Sequence, residues 1–232
     1  MFHVKQDGAT SVPDAAAQVF GDRLALAERY ADMLATDGVE RGLIGPREAD
    51  RLWERHILNS AAIAELISPN SRVADVGSGA GLPGIPLAIA RPDLEIALIE
   101  PMLRRTVFLE LVAETLGLES VRVIRHRAED PGAREQADFD YVTSRAVASL
   151  DKLTRWSLPL LRPDGIMLAL KGDRAQAEVD EHGRLMASLG VVDAKVMRCG
   201  VEYLDPPATV VVARRGAELR QQQRKPAGRR GR

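Results

Sequence analysis

The sequence predicts an α/β fold with a doubly wound, mostly parallel sheet. From residue 73 onward, short apolar segments alternate with longer amphipathic segments, a pattern typical of repeated βαβ units. Such units place helices on both faces of the sheet, and ligands bind beyond the carboxyl ends of its strands. The expected strands are Val73–Val76, Ile96–Ile99, Val121–Ile124, Tyr141–Thr143, Ile166–Leu170, Ala194–Met197 and Thr209–Ala213.

Helices are expected between these strands and before them. Apolar residues recur at helical spacing over Leu103–Leu116, Leu150–Leu161 and Arg174–Leu189. We interpret Arg162–Gly165 as a turn, because Pro, Asp and Gly suit turn positions. Residues 13–67 also have a helical pattern, with breaks at Gly21, Asp37-Gly38 and Gly45-Pro46.

Length and charge suggest three parts. The chain has 232 residues, 45% of them hydrophobic, which is enough for one substantial core. We expect an N-terminal helical extension over residues 1–70, an α/β domain over 71–213 and a basic tail over 214–232. The tail has eight Lys and Arg residues against one Glu and no apolar periodicity, so we expect it to be disordered. It either binds RNA phosphates or serves only as a solubilising extension.

The composition favours a cytoplasmic protein. A single cysteine, Cys199, excludes an internal disulfide framework, and no apolar run reaches the roughly 18 residues that span a bilayer. The first residues lack a signal-peptide core. We therefore expect no membrane partner, and we identify no metal site.

The most informative segment is a glycine-rich turn after the first strand. Gly79-x-Gly81-x-x-Gly84 fits the dinucleotide fingerprint, in which glycines let a ligand approach the backbone and the next helix offers free N–H groups. The segment offers no Lys or Arg to a phosphate, however, and Pro83 and Pro86 stiffen the first helical turn. These features favour a nucleoside without phosphates, such as S-adenosylmethionine. A nicotinamide-dependent oxidoreductase remains the alternative.

Polar residues follow the later strands. Glu100 is expected to accept hydrogen bonds from a ribose, which both cofactors contain. The loop Arg125–Asp130 offers groups for an adenine edge. Arg145 lies among small residues, where a guanidinium can bind a carboxylate, stack on a base or pair with an acid. Lys171 either meets an RNA phosphate or is an ordinary lysine at a strand end.

The segment Trp53–Ser60 lies in a predicted helix. Trp53, Ile57 and Ser60 share one side, and His56 and Asn59 lie beside it. Trp53 is either a core residue or a platform for a base. His56 is either structural or part of a wall facing the substrate.

Four sequence blocks together resemble the RsmG family, also called GidB, of bacterial small-subunit rRNA guanine-N7 methyltransferases. The blocks are Trp53–Ser60, Asp75–Ile89, Thr143–Ala146 and Ala169–Gly172. The resemblance implies a class I S-adenosylmethionine-dependent methyltransferase, with a Rossmann-like seven-stranded sheet, a reversed edge strand and an N-terminal helical cap. Its cofactor contacts would fall on Gly77, Leu82, Ala128, Glu129 and Arg145. The general logic of such sheets adds Asp75, Gly79 and Glu100.

The resemblance also implies a substrate, namely guanine 527 of 16S rRNA, and an association of methyl loss with mild streptomycin resistance. The partner would be 16S rRNA or the small ribosomal subunit, with no obligate protein partner. Many members of the family have Asp where this chain has Asn59, so a role that needs a carboxylate there does not transfer.

The implied reaction needs little acid–base chemistry. Guanine N7 has an in-plane lone pair and no proton, so methyl transfer depends on alignment and on stabilising the charge that moves to the purine. We expect Arg145, His56 and Lys171 around the guanine, with no assigned catalytic base. A non-catalytic RNA-binding assembly protein is the third interpretation.

Overall fold

The computed structural model describes residues 12–217, except for the side chains of residues 49 and 50. Its first part is helical and contains two runs that break at the predicted glycines. The first run contains α1 (Asp14–Phe20), a 3-10 turn (Gly21–Arg23), α2 (Leu24–Met33) and a π-helical turn (Leu34–Gly38). The second contains a 3-10 helix (Pro46–Arg51), a π-helix (Leu52–Leu58), α3 (Asn59–Ala61) and a 3-10 turn (Ala62–Leu66).

Strands and helices then alternate as the apolar pattern predicts. The strands are β1 (Arg72–Val76), β2 (Glu95–Ile99), β3 (Val121–Ile124), β4 (Phe139–Arg145), β5 (Leu161–Lys171), β6 (Val191–Cys199) and β7 (Ala208–Arg215). The helices are α4 (Gly84–Ala90), α5 (Leu103–Thr115), α6 (Pro131–Arg134), α7 (Leu150–Ser157) and α8 (Ala175–Leu189). No helix within residues 12–217 is long and apolar enough to cross a membrane.

The seven strands form one sheet in the order β3-β2-β1-β4-β5-β7-β6. The pairs from β3 to β5 are parallel, whereas β7 is antiparallel to both β5 and β6. This confirms the doubly wound, mostly parallel sheet. The chain reverses its winding between β1 and β4, and ligands of such sheets bind at that switch point.

Alternate residues of the strands pack on opposite faces of the sheet. Val73 faces a core that includes the N-terminal helices, α4 and α5, whereas Ala74 faces a core formed with α6, α7 and α8. The N-terminal helices therefore share a hydrophobic core with the sheet, and this packing places them beside the carboxyl end of β4.

Two boundaries differ from the prediction. The Arg162–Gly165 segment, predicted as a turn, belongs to β5 as a bulge: β5 advances five residues from Leu161 to Ile166 while β4 advances two. Arg214 and Arg215, predicted to begin the tail, lie in β7. Arg215 is buried and donates to the carbonyls of Leu158 and Leu161, which extends the strand beyond its apolar residues. The rest of the expected tail, residues 218–232, lies outside the described residues.

Candidate active site

A cleft of about 810 Å³ lies at the carboxyl ends of β1, β2, β3 and β4, and the N-terminal helical segment forms its other side. Its volume is in the range usual for small-molecule sites. Most of the site residues expected from the sequence line this cleft, namely Gly77, Gly79, Leu82, Glu100, Ala128, Glu129, Arg145 and His56. Asp75 and Lys171 do not line it.

The glycine-rich turn has two kinds of glycine. Gly79 has φ of +59°, and a Cβ there would meet only the Gly77 carbonyl oxygen, at 3.8 Å, so the backbone conformation is what favours glycine. Gly84 has an ordinary φ, but a Cβ there would lie 2.2 Å from Leu98 Cδ2 and 2.9 Å from Asp75 Oδ2. The first glycine shapes the cleft surface, and the second lets α4 pack closely on the sheet.

Glu100 is the best-positioned group for a ribose. Its Oε2 accepts the Gly79 N–H at 3.0 Å, and its Oε1 accepts the Met102 N–H at 3.0 Å. Arg105, which the sequence analysis did not consider, lies 3.4 Å from Oε2 and pairs with this carboxylate. Because a carboxylate offers about four lone-pair sites, Glu100 keeps capacity for a hydroxyl donor. It is also fixed in orientation before any ligand arrives.

Asp75 lies beneath the turn. Its side chain is fully buried, and its Oδ2 accepts the Gly84 N–H at 3.0 Å. Burial raises the pKa of Asp75 to about 7. The geometry gives this carboxyl a role in fixing the start of α4, so any effect on a ligand would be transmitted through the turn.

The loop after β3 contributes Ala128 and Glu129 to the cleft wall. Asp130 accepts the Arg127 N–H at 3.1 Å and folds the loop back on itself. The indole of Trp156, on α7, lines the cleft as well. Sequence reasoning missed Trp156, because its position inside an amphipathic helix gives no local signal of a site.

Arg145 joins the end of β4 to the N-terminal helical segment. Its Nη1 donates to the His56 carbonyl at 3.1 Å and to Ser60 Oγ at 3.0 Å, and its Nη2 donates to the Arg55 carbonyl at 2.9 Å. Burial lowers the pKa of Arg145 to about 10, so the guanidinium remains charged at neutral pH. The sequence indicated a functional arginine here, but not that these partners would engage it.

His56 has both ring nitrogens engaged. Its Nδ1 lies 2.7 Å from Arg145 Nη2, and its Nε2 lies 2.8 Å from Glu48 Oε2. Since a guanidinium can only donate, Nδ1 accepts and the proton of the neutral ring is on Nε2, which donates to Glu48. Burial and the nearby Arg145 lower the pKa of His56, which favours this neutral form. Glu48, His56 and Arg145 thus form a continuous chain of hydrogen bonds.

The remaining predicted residues lie elsewhere. Lys171 Nζ donates to the Ala148 carbonyl at 2.7 Å and to Glu178 Oε2 at 2.8 Å, in a second depression that also contains Arg174 and His182. Trp53 is a core residue, with its ring edge against Phe20. Among the side chains that the structure describes, no group of three from His, Cys, Asp or Glu is arranged to bind a metal ion.

Comparison with known proteins identifies the family. A family model described as rRNA small subunit methyltransferase G (GidB) matches residues 23–204. The chain belongs to this family. GidB relatives include the ribosomal RNA small subunit methyltransferases G of Mycolicibacterium smegmatis, 62% identical over 92% of this chain and 91% of that protein, and of Mycobacterium marinum, 64% identical over 88% and 89%.

Solved structures share the fold at low sequence identity. A putative S-adenosyl-L-methionine-dependent methyltransferase of Methanococcus maripaludis has a TM-score of 0.55 and 13% identity, and covers 82% of this chain and 92% of its own. TYW2 of M. jannaschii, solved in complex with AdoMet, has a TM-score of 0.53 and 19% identity, over 70% and 76% of the two chains. Like other GidB proteins, the chain is an S-adenosylmethionine-dependent rRNA methyltransferase, which confirms the first interpretation over the oxidoreductase and the non-catalytic protein.

The cleft fits this cofactor. The turn at Gly77–Ala80 presents backbone rather than side chains, and the buried carboxylate of Glu100 is oriented by two backbone N–H groups. Two further features lacked a sequence signal: Tyr30 donates to the Ala80 carbonyl at 2.9 Å from α2, and Glu48 lines the opposite side. The Tyr30 hydrogen bond joins segments 50 residues apart, and Glu48 lies far along the chain from the strands that it faces across the cleft, so neither produces a motif.

Proposed function

We propose that this rRNA methyltransferase transfers a methyl group to N7 of guanine 527 in 16S rRNA. The choice of N7 as the attacking atom is best supported by the hydrogen bonds of His56. Both of its ring nitrogens are engaged, one by Arg145 and the other by Glu48. Methylation of an exocyclic amine or a ribose hydroxyl removes a proton from the attacking atom, whereas N7 attacks with a free lone pair. A cleft whose histidine is not available as a base suits the second case.

The reaction then depends on alignment. S-adenosylmethionine, when bound, supplies an electrophilic methyl group on a sulfonium. We assign the turn residues Gly77, Gly79 and Leu82 to its methionyl and central part and Glu100 to its ribose. Ala128 and Glu129, at the end of β3, would border the adenine.

Arg145 would act at the boundary between cofactor and guanine. Its two terminal nitrogens are engaged by the helical segment, and no acceptor among the described residues bonds its Nε. That N–H is the donor it has left for a ligand, such as the methionine carboxylate. Asp75 would act only through the turn.

The helical extension (1–70) and the methyltransferase domain (71–213, with β7 ending at Arg215) would have separate tasks. The extension closes the cleft beside β4, where the guanine would enter after leaving its RNA stack. The depression at Lys171 and Arg174 and the basic segment 218–232 would contact RNA phosphates. We infer that the protein acts in the cytoplasm, where a 16S rRNA substrate would be met during ribosome assembly.

Analysis of the methylated nucleoside tests the proposal. Purified protein, methyl-labelled S-adenosylmethionine and either naked 16S rRNA or small subunits from a strain lacking the enzyme should give label in 7-methylguanosine at one position. A substrate with 7-deazaguanosine at that position should accept no label, because the attacking nitrogen is replaced by C–H. Label in another nucleoside, or label in the 7-deaza substrate, would refute the N7 assignment.

A further inference from the structure

The cleft contains a carboxylate that cofactor binding does not account for. Among the described residues three carboxylates line the cleft: Glu48, Glu100 and Glu129. Glu100 is buried and bonded to backbone N–H groups of the turn and of the segment after β2. Glu129 follows β3, which is the edge strand and the parallel strand farthest from β4. Glu48 alone lies on the N-terminal helical segment, opposite the glycine-rich turn.

Only one of the two Glu48 oxygens has a partner among the described residues. Oε2 accepts His56 Nε2–H at 2.8 Å and lies 3.3 Å from Arg55 Nε. Oε1 has no hydrogen bond there, and the side chain is 34% exposed. The hydrogen bond from His56 lowers the pKa of Glu48, so the group is an anion at neutral pH. The cleft thus presents a fixed negative charge with free acceptor capacity.

Glu48 is also fixed relative to β4. His56 joins it to Arg145 through the 2.7 Å contact at Nδ1, and Ser60 holds the other terminal nitrogen of that guanidinium at 3.0 Å. Apart from Arg145, the groups assigned to the cofactor lie at the ends of β1, β2 and β3. A base that enters on the remaining side, next to β4, therefore lies against the helical wall that contains Glu48.

We propose that Glu48 binds the Watson–Crick edge of the target guanine, with its carboxylate accepting the N1–H and N2–H hydrogen bonds. This inference rests on the proposed function. Among the four RNA bases only guanine presents two adjacent donors on that edge, whereas adenine, cytosine and uracil each present an acceptor beside a donor. Enzymes that act on flipped bases read them through this edge. In a purine, N7 lies on the other side of the ring system, so Glu48 can hold one edge while N7 faces the methyl group.

The same contact stabilises the charge that the reaction creates. The N7 lone pair forms the new C–N bond, the sulfur–methyl bond breaks, and its electron pair stays on sulfur. The purine therefore gains the positive charge that the sulfonium loses, and no proton leaves in this step. A carboxylate at N1–H attracts that charge more strongly in the transition state than in the ground state, which lowers the barrier.

A Glu48→Gln variant with two matched substrates tests this role. The amide keeps the size of the side chain and an oxygen for His56, but it turns an N–H group toward the base. The substrates are an RNA with guanine and one with inosine, which lacks the N2 amino group, at the target position. A hydrogen bond to a charged group is worth about 1.5–3 kcal/mol, or roughly tenfold or more in rate.

For the wild-type protein we expect kcat/KM about tenfold higher with guanine than with inosine. In Glu48→Gln, guanine transfer should fall about tenfold or more and the preference should narrow to about twofold, while the Kd for S-adenosylmethionine stays within about twofold. Glu54→Gln, the same change at an exposed position of the adjacent π-helix, should leave all three quantities unchanged.

The role of Glu48 is wrong if the variant lowers transfer to guanine and inosine by the same factor, since Glu48 then only positions His56. A narrowed preference in Glu54→Gln would overturn it as well. Nucleoside analysis of the same reactions separates this failure from the broader one. With the guanine substrate, a product other than 7-methylguanosine refutes the N7 assignment, whereas 7-methylguanosine with an unchanged preference for guanine over inosine refutes only the role of Glu48.

Discussion

The two walls of the cleft are built from different kinds of contact. On the side of β1 and β2, the key hydrogen bond joins Gly79 and Glu100, which are 21 residues apart and follow neighbouring parallel strands. On the side of β4, Arg145 contacts Arg55, His56 and Ser60, which are 85 to 90 residues away. The first wall is shaped mainly by backbone and sheet geometry, and the second by the Arg145 side chain, which bonds side chains and backbone carbonyls of a distant segment.

The first wall therefore reflects the nucleoside binding that is general to this fold, and the second reflects the recognition of a particular substrate. Sheets of this type bind nucleosides at the same edge whatever the reaction. The helical segment that completes the second wall consists of short 3-10 and π-helical turns, so its position depends on tertiary contacts such as those of Arg145. We therefore expect the second wall to be the more easily disrupted.

The largest effect is expected from Arg145→Met. The change removes four hydrogen bonds, including those to the buried Ser60 hydroxyl and to two carbonyls, and each buried group left unsatisfied costs about 1–3 kcal/mol. Loss of alignment should lower methyl transfer at least about 100-fold. Thermal unfolding and single-turnover assays measure both effects. Arg155→Met, at an exposed position of α7, is the control. Equal losses of stability and methyl transfer in the two variants would show that Arg145 does not support the second wall.

Asp75→Asn should change how stability depends on pH. Burial raises the folded-state pKa of Asp75 from 3.8 to about 7, so the folded protein binds this proton more tightly than the unfolded chain. The contribution is complete below about pH 4 and is lost as the pH rises toward 7. The variant keeps an acceptor for the Gly84 N–H but has no proton to lose. Relative to wild type, its free energy of unfolding should increase by up to about 4 kcal/mol between pH 4 and pH 7.

Urea unfolding at a series of pH values measures this difference. Wild-type and Asp75→Asn curves that remain parallel from pH 4 to pH 7 would show that Asp75 does not titrate in the folded state as its burial requires. The cleft itself should change little, because Asp75 lies beneath the turn.

The smallest effect is expected from Tyr30→Phe, which tests whether the helical segment also supports the first wall. The buried Tyr30 hydroxyl donates to the Ala80 carbonyl, and its loss should lower the free energy of unfolding by about 1 kcal/mol. Affinity for S-adenosylmethionine should fall a few-fold, because Ala80 belongs to the turn. Tyr203→Phe, whose hydroxyl has no hydrogen bond among the described residues, is the control. Equal effects in both variants would show that the Tyr30 contact is unimportant.

The sequence predicts the first wall better than the second for a physical reason. Glycines at fixed spacing after a strand and an acid after the next strand are local signals, and Gly79 and Glu100 lie together as expected. Arg145 is detectable as a strand-end residue, but its partners are not, because they depend on how the helical segment packs. Glu48 lies in no motif and is recognisable only once His56 and Arg145 are placed beside it.

Two strand boundaries show the same limit. The residue types of Arg162–Gly165 favour a turn, yet pairing with β4 draws them into β5 as a bulge. Arg215 reads as part of a basic tail, yet the carbonyls of Leu158 and Leu161 accept its guanidinium. In each case a tertiary contact overrides a local preference.

The division of the cleft into two walls is tested most directly by measuring two quantities in two variants, Glu100→Gln and Glu48→Gln. The quantities are the Kd for S-adenosylmethionine, by calorimetry, and the preference for guanine over inosine, by methyl transfer at saturating cofactor. Glu100→Gln should raise the Kd about tenfold and keep the preference, whereas Glu48→Gln should keep the Kd and narrow the preference. If each variant changes both the Kd and the preference, cofactor binding and guanine recognition are not separated between the two walls.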